Sequence, residues 1–135
     1  MKYIFLVLRL VAAIIMLQTL YFKFTAAPES VYIFSQLGME PWGRIGVGVQ
    51  ELIASVLLLI PATVVFGAIL GFGLMAGALF FHFTTLGIAV QGDGGKLFAL
   101  CLAVLISCFA LLIMEREKVF ALYNALKQTL AKEEF

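Results

Sequence analysis

The 135-residue chain predicts an all-α integral membrane fold. Its expected architecture is a bundle of four transmembrane helices, with a short interfacial helix after the first span and an amphipathic C-terminal tail helix. Hydrophobic residues make up 64% of the chain, against roughly 45–50% in soluble domains, and charged residues only 13%, about half the usual ~25%. A soluble protein this small leaves a large share of its surface in water and needs a polar coat. A mean hydropathy of +1.12 denies it one. The apolar residues also fall into four stretches, each near the roughly 20 residues that cross a hydrocarbon core about 30 Å thick.

The first span is expected over residues 3–25. It is too long for the apolar core of a cleaved signal and carries Arg9, so it reads as a retained helix. Pro28 followed by Glu29 looks like a helix start, and Gly38 followed by Pro41 a stop. Between them Val31, Phe34 and Leu37, with Tyr32, give a short amphipathic face that suits the bilayer surface. The second span is expected over 43–60 and the third over 63–86. The tight Pro61-Ala62 connection makes them antiparallel neighbours. Val90–Gly95, with three glycines and an Asp-Gly pair, reads as a turn before the fourth span over 96–114. The chain thus divides into a transmembrane unit, 1–114, and a tail, 115–135, whose Val119, Leu122, Tyr123, Leu126 and Leu130 share one helical stripe.

A net charge of +1, from nine Lys/Arg and eight Asp/Glu, excludes a nucleic-acid binder held by phosphate contacts. The 13 Phe and low charge exclude disorder. Four spans put both termini on one side, which carries Lys2, Arg116, Lys118, Lys127 and Lys132 against Lys23, Arg44 and Lys96 on the other. That excess favours cytoplasmic termini. Cys101 and Cys108 lie on one face of span four but about 10 Å apart, too far for a disulfide, and read as packing residues.

Ionisable side chains in a bilayer are costly and are expected to face the bundle interior, pair or snorkel. Arg9 reads as a snorkelling arginine that meets the tail carboxylate Glu115. Most of the remaining polar chemistry collects in the outer half of the bundle: Gln18 and Lys23 on span one, Arg44 and Glu51 on span two, His82 on span three, with Glu29, Glu40 and Asp93 in the connections. Arg44, Gly48 and Glu51 share a helix face, and Glu51 and His82 are expected to meet across the Pro61 hairpin. One reading is a salt-bridge network that fixes helix register. The other is a site for a polar ligand, in which a carboxylate and an imidazole pass protons. A single His is too little for a metal or haem site. Gly67, Gly71, Gly73 and Gly77 give overlapping small-xxx-small patterns, suited to packing within the bundle or to a homodimer.

The residues also carry a resemblance. Leu8-Arg9-Leu10, Lys23-Phe24, Tyr32, Phe34 and Gly38-Met39-Glu40-Pro41 are followed by Gly46, Glu51-Leu52, Met75, Gly77-Ala78 and His82. In that order the chain resembles, from Leu8 to Met114, the DoxX family of small four-helix bacterial membrane proteins. The resemblance implies the same fold and a neighbourhood of functions: a subunit of a quinone-linked oxidoreductase, a part of membrane redox and thiol-stress assemblies, or an assembly factor for other membrane proteins. Gln18 departs from the pattern, being larger than the residue many relatives carry. No CxxC, haem motif or nucleotide-binding glycine loop is encoded, so electrons would run through a bound quinone or a partner subunit. On this reading Glu51 and His82 exchange protons, while Lys23 and Arg44, with Gln18 and Glu40, bind the ligand. The alternatives are a non-enzymatic accessory protein that binds a partner membrane protein, and a small-solute transporter that works as a homo-oligomer.

Overall fold

The computed structural model describes residues 2–133, so Met1, Glu134 and Phe135, at the ends of the expected 1–114 and 115–135 units, lie outside the described residues. The described chain forms α1 (Lys2–Phe24), α2 (Pro28–Gln36), α3 (Trp42–Leu59), α4 (Val64–Phe81), α5 (Lys96–Met114) and α6 (Arg116–Glu133). Four stretches are long and apolar enough to cross a membrane: Lys2–Phe24, Trp42–Leu59, Pro61–Leu86 and Lys96–Met114. The fold is the expected all-α membrane bundle. Each spanning helix packs on the next in sequence, and α5 closes the ring on α1.

Small residues let these helices approach closely. Ala12, Ala13, Ala54 and Ala68 are fully buried beside Met16, Leu58, Val104 and Leu111. A Cβ on Gly67 would stand 2.8 Å from the Leu58 backbone nitrogen, and one on Gly71 would stand 2.9 Å from Cys108 Sγ. These two glycines therefore serve packing inside the bundle. Large apolar side chains such as Ile14, Ile53, Phe66, Ile106 and Phe109 point outward. In water they would be an aggregation hazard; in hydrocarbon they are the lipid-facing belt.

The α3–α4 corner shows how the bundle satisfies a broken helix end without water. Pro61 has no N–H to give back to Leu57, so the Thr63 hydroxyl donates to Leu57 O instead, at 2.8 Å. Arg9 supplies the next two carbonyls, Nε to Leu58 O at 2.8 Å and Nη2 to Leu59 O at 2.9 Å, with its guanidinium 5.6 Å from the Phe5 ring centre. The Thr63 N–H closes on Ile60 O. This corrects the expected Arg9–Glu115 contact. The carbonyls that the Pro61 turn frees take the guanidinium, and Glu115 pairs with Lys118 at 2.9 Å.

At the opposite end, α2 starts with Pro28 and lies against α1 and α3. Ser30 and Phe34 are its buried residues; Tyr32, expected on the apolar face, is exposed because the packing face runs through Ser30 and Phe34. Beyond α4 the chain makes one widened π-type turn, His82–Leu86, which stops at Gly87 in a left-handed conformation (φ +78°). The tail folds as the helix α6 with no buried residue, leaving Tyr123, Leu126 and Leu130 of the expected stripe, and Phe120, exposed.

Candidate functional site

The last two turns of α1 place Thr19 and Lys23 one turn apart on the face that meets α3. There Lys23 Nζ lies 3.0 Å from Glu51 Oε2, and the Thr19 hydroxyl stands 3.2 Å from the same oxygen and 2.8 Å from Met16 O. Both partners of the ion pair are largely buried, with side chains 14% and 4% exposed. Glu51 Oε1 takes no hydrogen bond in this arrangement. Among the described residues no sealed side-chain nitrogen or oxygen lacks a partner, so Oε1 borders open space.

His82 is the first residue of the widened turn. Its Nδ1 lies 2.8 Å from Gly87 O, a contact in which Nδ1–H donates to the carbonyl. The ring sits edge-on to Phe98, with centres 5.5 Å apart. Nε2 is left over, and the same reasoning as for Glu51 Oε1 sets it on open space although the residue is 3% exposed.

That open space is a cavity of about 480 Å³ lined by Gln18, Lys23, Glu51 and His82 among the expected residues. Its size lies in the range of small-molecule sites, roughly 300–1,000 Å³. Deeper in the bundle the wall is apolar, from Ile15, Met16, Leu74, Met75, Leu100 and Val104, while Ser30, Ile33 and Phe34 of α2 form part of the wall at the polar end. Cys101, whose thiol donates to Met75 O at 3.3 Å, also borders it. Arg44 and Glu40 do not line the cavity. Arg44 Nε holds Glu40 at 2.8 and 3.1 Å, and its Nη1 donates to Lys23 O, which braces the end of α1 against the start of α3. Glu51 and His82 border one cavity without bonding each other, and the widened turn holds His82 Nδ1 on Gly87 O.

Two lining residues, Thr19 and Gln50, had no role in the sequence reading, and others had a different one. Thr19 was detectable as the residue one turn before Lys23. Gln50 stands beside Glu51 in an otherwise apolar span, and Gly73 and Gly77 line the cavity rather than a helix contact. Asp93 sits in the connection before α5 and collects three backbone N–H groups: Val90 at 3.0 Å and Gly95 at 2.8 Å on Oδ1, Leu97 at 3.1 Å on Oδ2. Desolvation pushes its carboxyl up, but the Gly95, Leu97 and Val90 amides, helped by nearby His82, hold it below the usual carboxylate range. It fixes the start of α5 at the cavity rim. Among the described residues no group of three or more His, Cys, Asp or Glu side chains could hold a metal ion. The arrangement can accept hydrogen bonds from a ligand at two atoms that face the cavity, Glu51 Oε1 and His82 Nε2.

The sequence model of the DoxX-like family matches residues 7–111, which takes in every helix around the cavity and leaves out α6. Comparison with curated proteins and with solved structures returns no match.

Proposed function

The chain belongs to the DoxX-like family, and from that premise we propose that it is a quinone-linked redox component whose cavity receives a quinone ring. The observation that carries the reading is a pair of buried side chains on different helices, Glu51 and His82, each keeping one unpartnered polar atom on the same cavity, whose deeper wall is apolar. Reduction of a quinone joins two electrons to two protons, and that is the chemistry the bound ring supplies. Glu51 Oε1 accepts a hydrogen bond from a hydroxyl of the reduced, quinol form while Lys23 holds Oε2 in place. His82 Nε2 accepts when the ring is neutral and donates when it is protonated, its orientation fixed by Gly87. Gln18 offers an amide on the α1 side. Arg44 and Glu40 act at one remove, by keeping α1 and α3 together. Electrons come and go through a partner redox subunit. A bacterial inner membrane with both termini cytoplasmic belongs to the same proposal, supported by the Lys/Arg excess at the chain ends.

The test is mass spectrometry of organic extracts from protein purified in mild detergent. A stoichiometric quinone in the wild type, absent from an E51Q/H82A variant of unchanged helicity, is expected. Phospholipid alone in both would end the reading.

The exposed apolar face of α6 favours a second reading, a non-enzymatic accessory protein whose tail holds a partner membrane protein. Truncation after Glu115 is then expected to release that partner in a pull-down, and unchanged recovery would count against it. A homodimer, or a transporter built from several copies, would show in the oligomeric state of the same purified sample.

A further inference from the structure

α3 and α4 leave the Pro61 turn in tight contact, with Gly67 seated against the backbone of Leu58 and Ala54. Further along α4 the contact opens. A Cβ on Gly73 or Gly77 would meet nothing within 4 Å, yet both glycines line the cavity. Gly73 is also exposed, and so is Gln50 of α3, which lines the same cavity. An exposed cavity-lining position that carries no side chain, as at Gly73, leaves a gap in the wall. Gln18 and Phe22 of α1 are exposed and line the cavity too, but there Ile15, Leu97 and Leu100 add side chains to the wall, where Gly73 and Gly77 of α4 add none. The third approach, from the membrane surface, runs beneath α2, whose Ser30 and Phe34 are packed inward.

We infer that the cavity is loaded sideways from the hydrocarbon layer through the seam between α3 and α4, past Gln50, Gly73 and Gly77. Its ligand is then a membrane-dissolved molecule whose polar head meets Glu51 and His82 and whose apolar tail stays in the seam. This rests on the reading of the cavity as a ligand site, which the unpartnered Glu51 Oε1 and His82 Nε2 support independently of the glycines. The side-chain-free α4 wall gives an alkyl or isoprenoid tail room to lie against the helix backbone, and the Gln50 amide gives the polar head a hydrogen-bonding step on its way in from a medium that offers none. A head group without a tail would have little reason to use this route.

The probe is a benzoquinone with a decyl tail that carries a diazirine near its end, mixed with the full chain in phosphatidylcholine vesicles and irradiated. Peptide mapping is expected to find label at Val47–Gln50 and around Gly73–Gly77. A G73L/G77L variant, which fills open space with good helix formers, is expected to fold and to lose that label about tenfold. A76L adds the same bulk on the exposed face of α4 and is expected to change nothing. Label concentrated at Ile15–Phe22, or untouched by G73L/G77L, overturns the route. So does finding that the wild type is a dimer that G73L/G77L makes monomeric, since the seam would then be a protein contact. Binding of a methyl-substituted benzoquinone from water, measured alongside, separates the two claims. If it equals the tailed compound, sideways loading falls and the ligand site stands. If neither compound binds, the ligand site falls and the route with it.

Discussion

Replacing Lys23 with Met is expected to destabilise the bundle by about 3–5 kcal/mol, the usual loss when one partner of a buried ion pair is removed. The structure sets that scale. The two side chains are 14% and 4% exposed and 3.0 Å apart, so little of the pair's attraction is screened by solvent. Met preserves most of the lysine stem, which keeps the packing loss small and isolates the charge. Glu51 is then left with Thr19 alone, whose single hydroxyl hydrogen is also claimed by Met16 O. Glu51→Gln is expected to cost less, about 1–2 kcal/mol, because an amide oxygen still accepts from Lys23 and Thr19. In the K23M/E51Q double variant no charge is stranded, and a total near about 2 kcal/mol is expected, well below the sum of the single losses. The assay is equilibrium unfolding in mild detergent titrated with a denaturing detergent, followed by far-ultraviolet circular dichroism. A K23M loss under about 0.5 kcal/mol, or strict additivity in the double variant, would refute the reasoning: the pair would then behave as an exposed surface bridge, and the polar end of the cavity would be bulk water.

The other corners of the bundle give their own expectations. Arg9→Met strips the donors from Leu58 O and Leu59 O and is expected to cost about 2–4 kcal/mol in the same titration; a loss below about 1 kcal/mol would mean other donors reach those carbonyls. Asp93 has a folded pKa lowered from its unfolded value, so its contribution is present in full above the unfolded pKa near about 4 and is lost as pH falls through the lower folded value. Asp93→Ala is expected to cost about 1 kcal/mol at neutral pH, and the gap from wild type should close on strong acidification if midpoints are measured across that range. Gly67→Ala forces a Cβ to 2.8 Å from backbone nitrogen and is expected to cost about 1–3 kcal/mol, whereas Gly73→Ala enters open space and is expected to be neutral or to stabilise by up to about 1 kcal/mol. Melting both variants side by side checks the contrast.

The spans were legible because hydrocarbon thickness leaves little freedom: each apolar stretch had to be a helix of nearly fixed length, and the expected ends fall within two residues of the observed ones. Side-chain partners were harder. Arg9 was expected to seek a carboxylate, but its partners are the carbonyls freed by Pro61, and no side-chain spacing reveals a backbone acceptor on another helix. His82 was assigned to the right end of the bundle, yet the widened turn that hands its Nδ1 to Gly87 O has no mark in the sequence beyond that glycine. The glycine pattern on α4 was visible as four residues at helical spacing. Which pair packs and which lines a gap depends on where α3 and α4 part, and that is set by both helices at once.

Scaffold and site, which stand as rival readings for whole residues, separate cleanly when the question is asked atom by atom. Glu51 Oε2 belongs to the scaffold, since Lys23 and Thr19 hold it and through it α1 is fixed to α3. Oε1 of the same carboxylate has no such duty. His82 divides in the same way: Nδ1 secures the turn that ends the third span, and Nε2 is free. The structural half of each side chain is what makes the free half usable, because an unanchored carboxylate or imidazole in hydrocarbon would rotate toward any donor available. A purely structural network has no reason to leave one acceptor over on each of two facing helices, both on one cavity. Substitutions that leave an acceptor for Lys23 and Thr19 and turn the free acceptor into a donor, such as Glu51→Gln with its modest cost in stability, therefore discriminate better than deletions do. They should leave the bundle standing while ligand binding falls, and a parallel loss of both would return Glu51 to the scaffold alone.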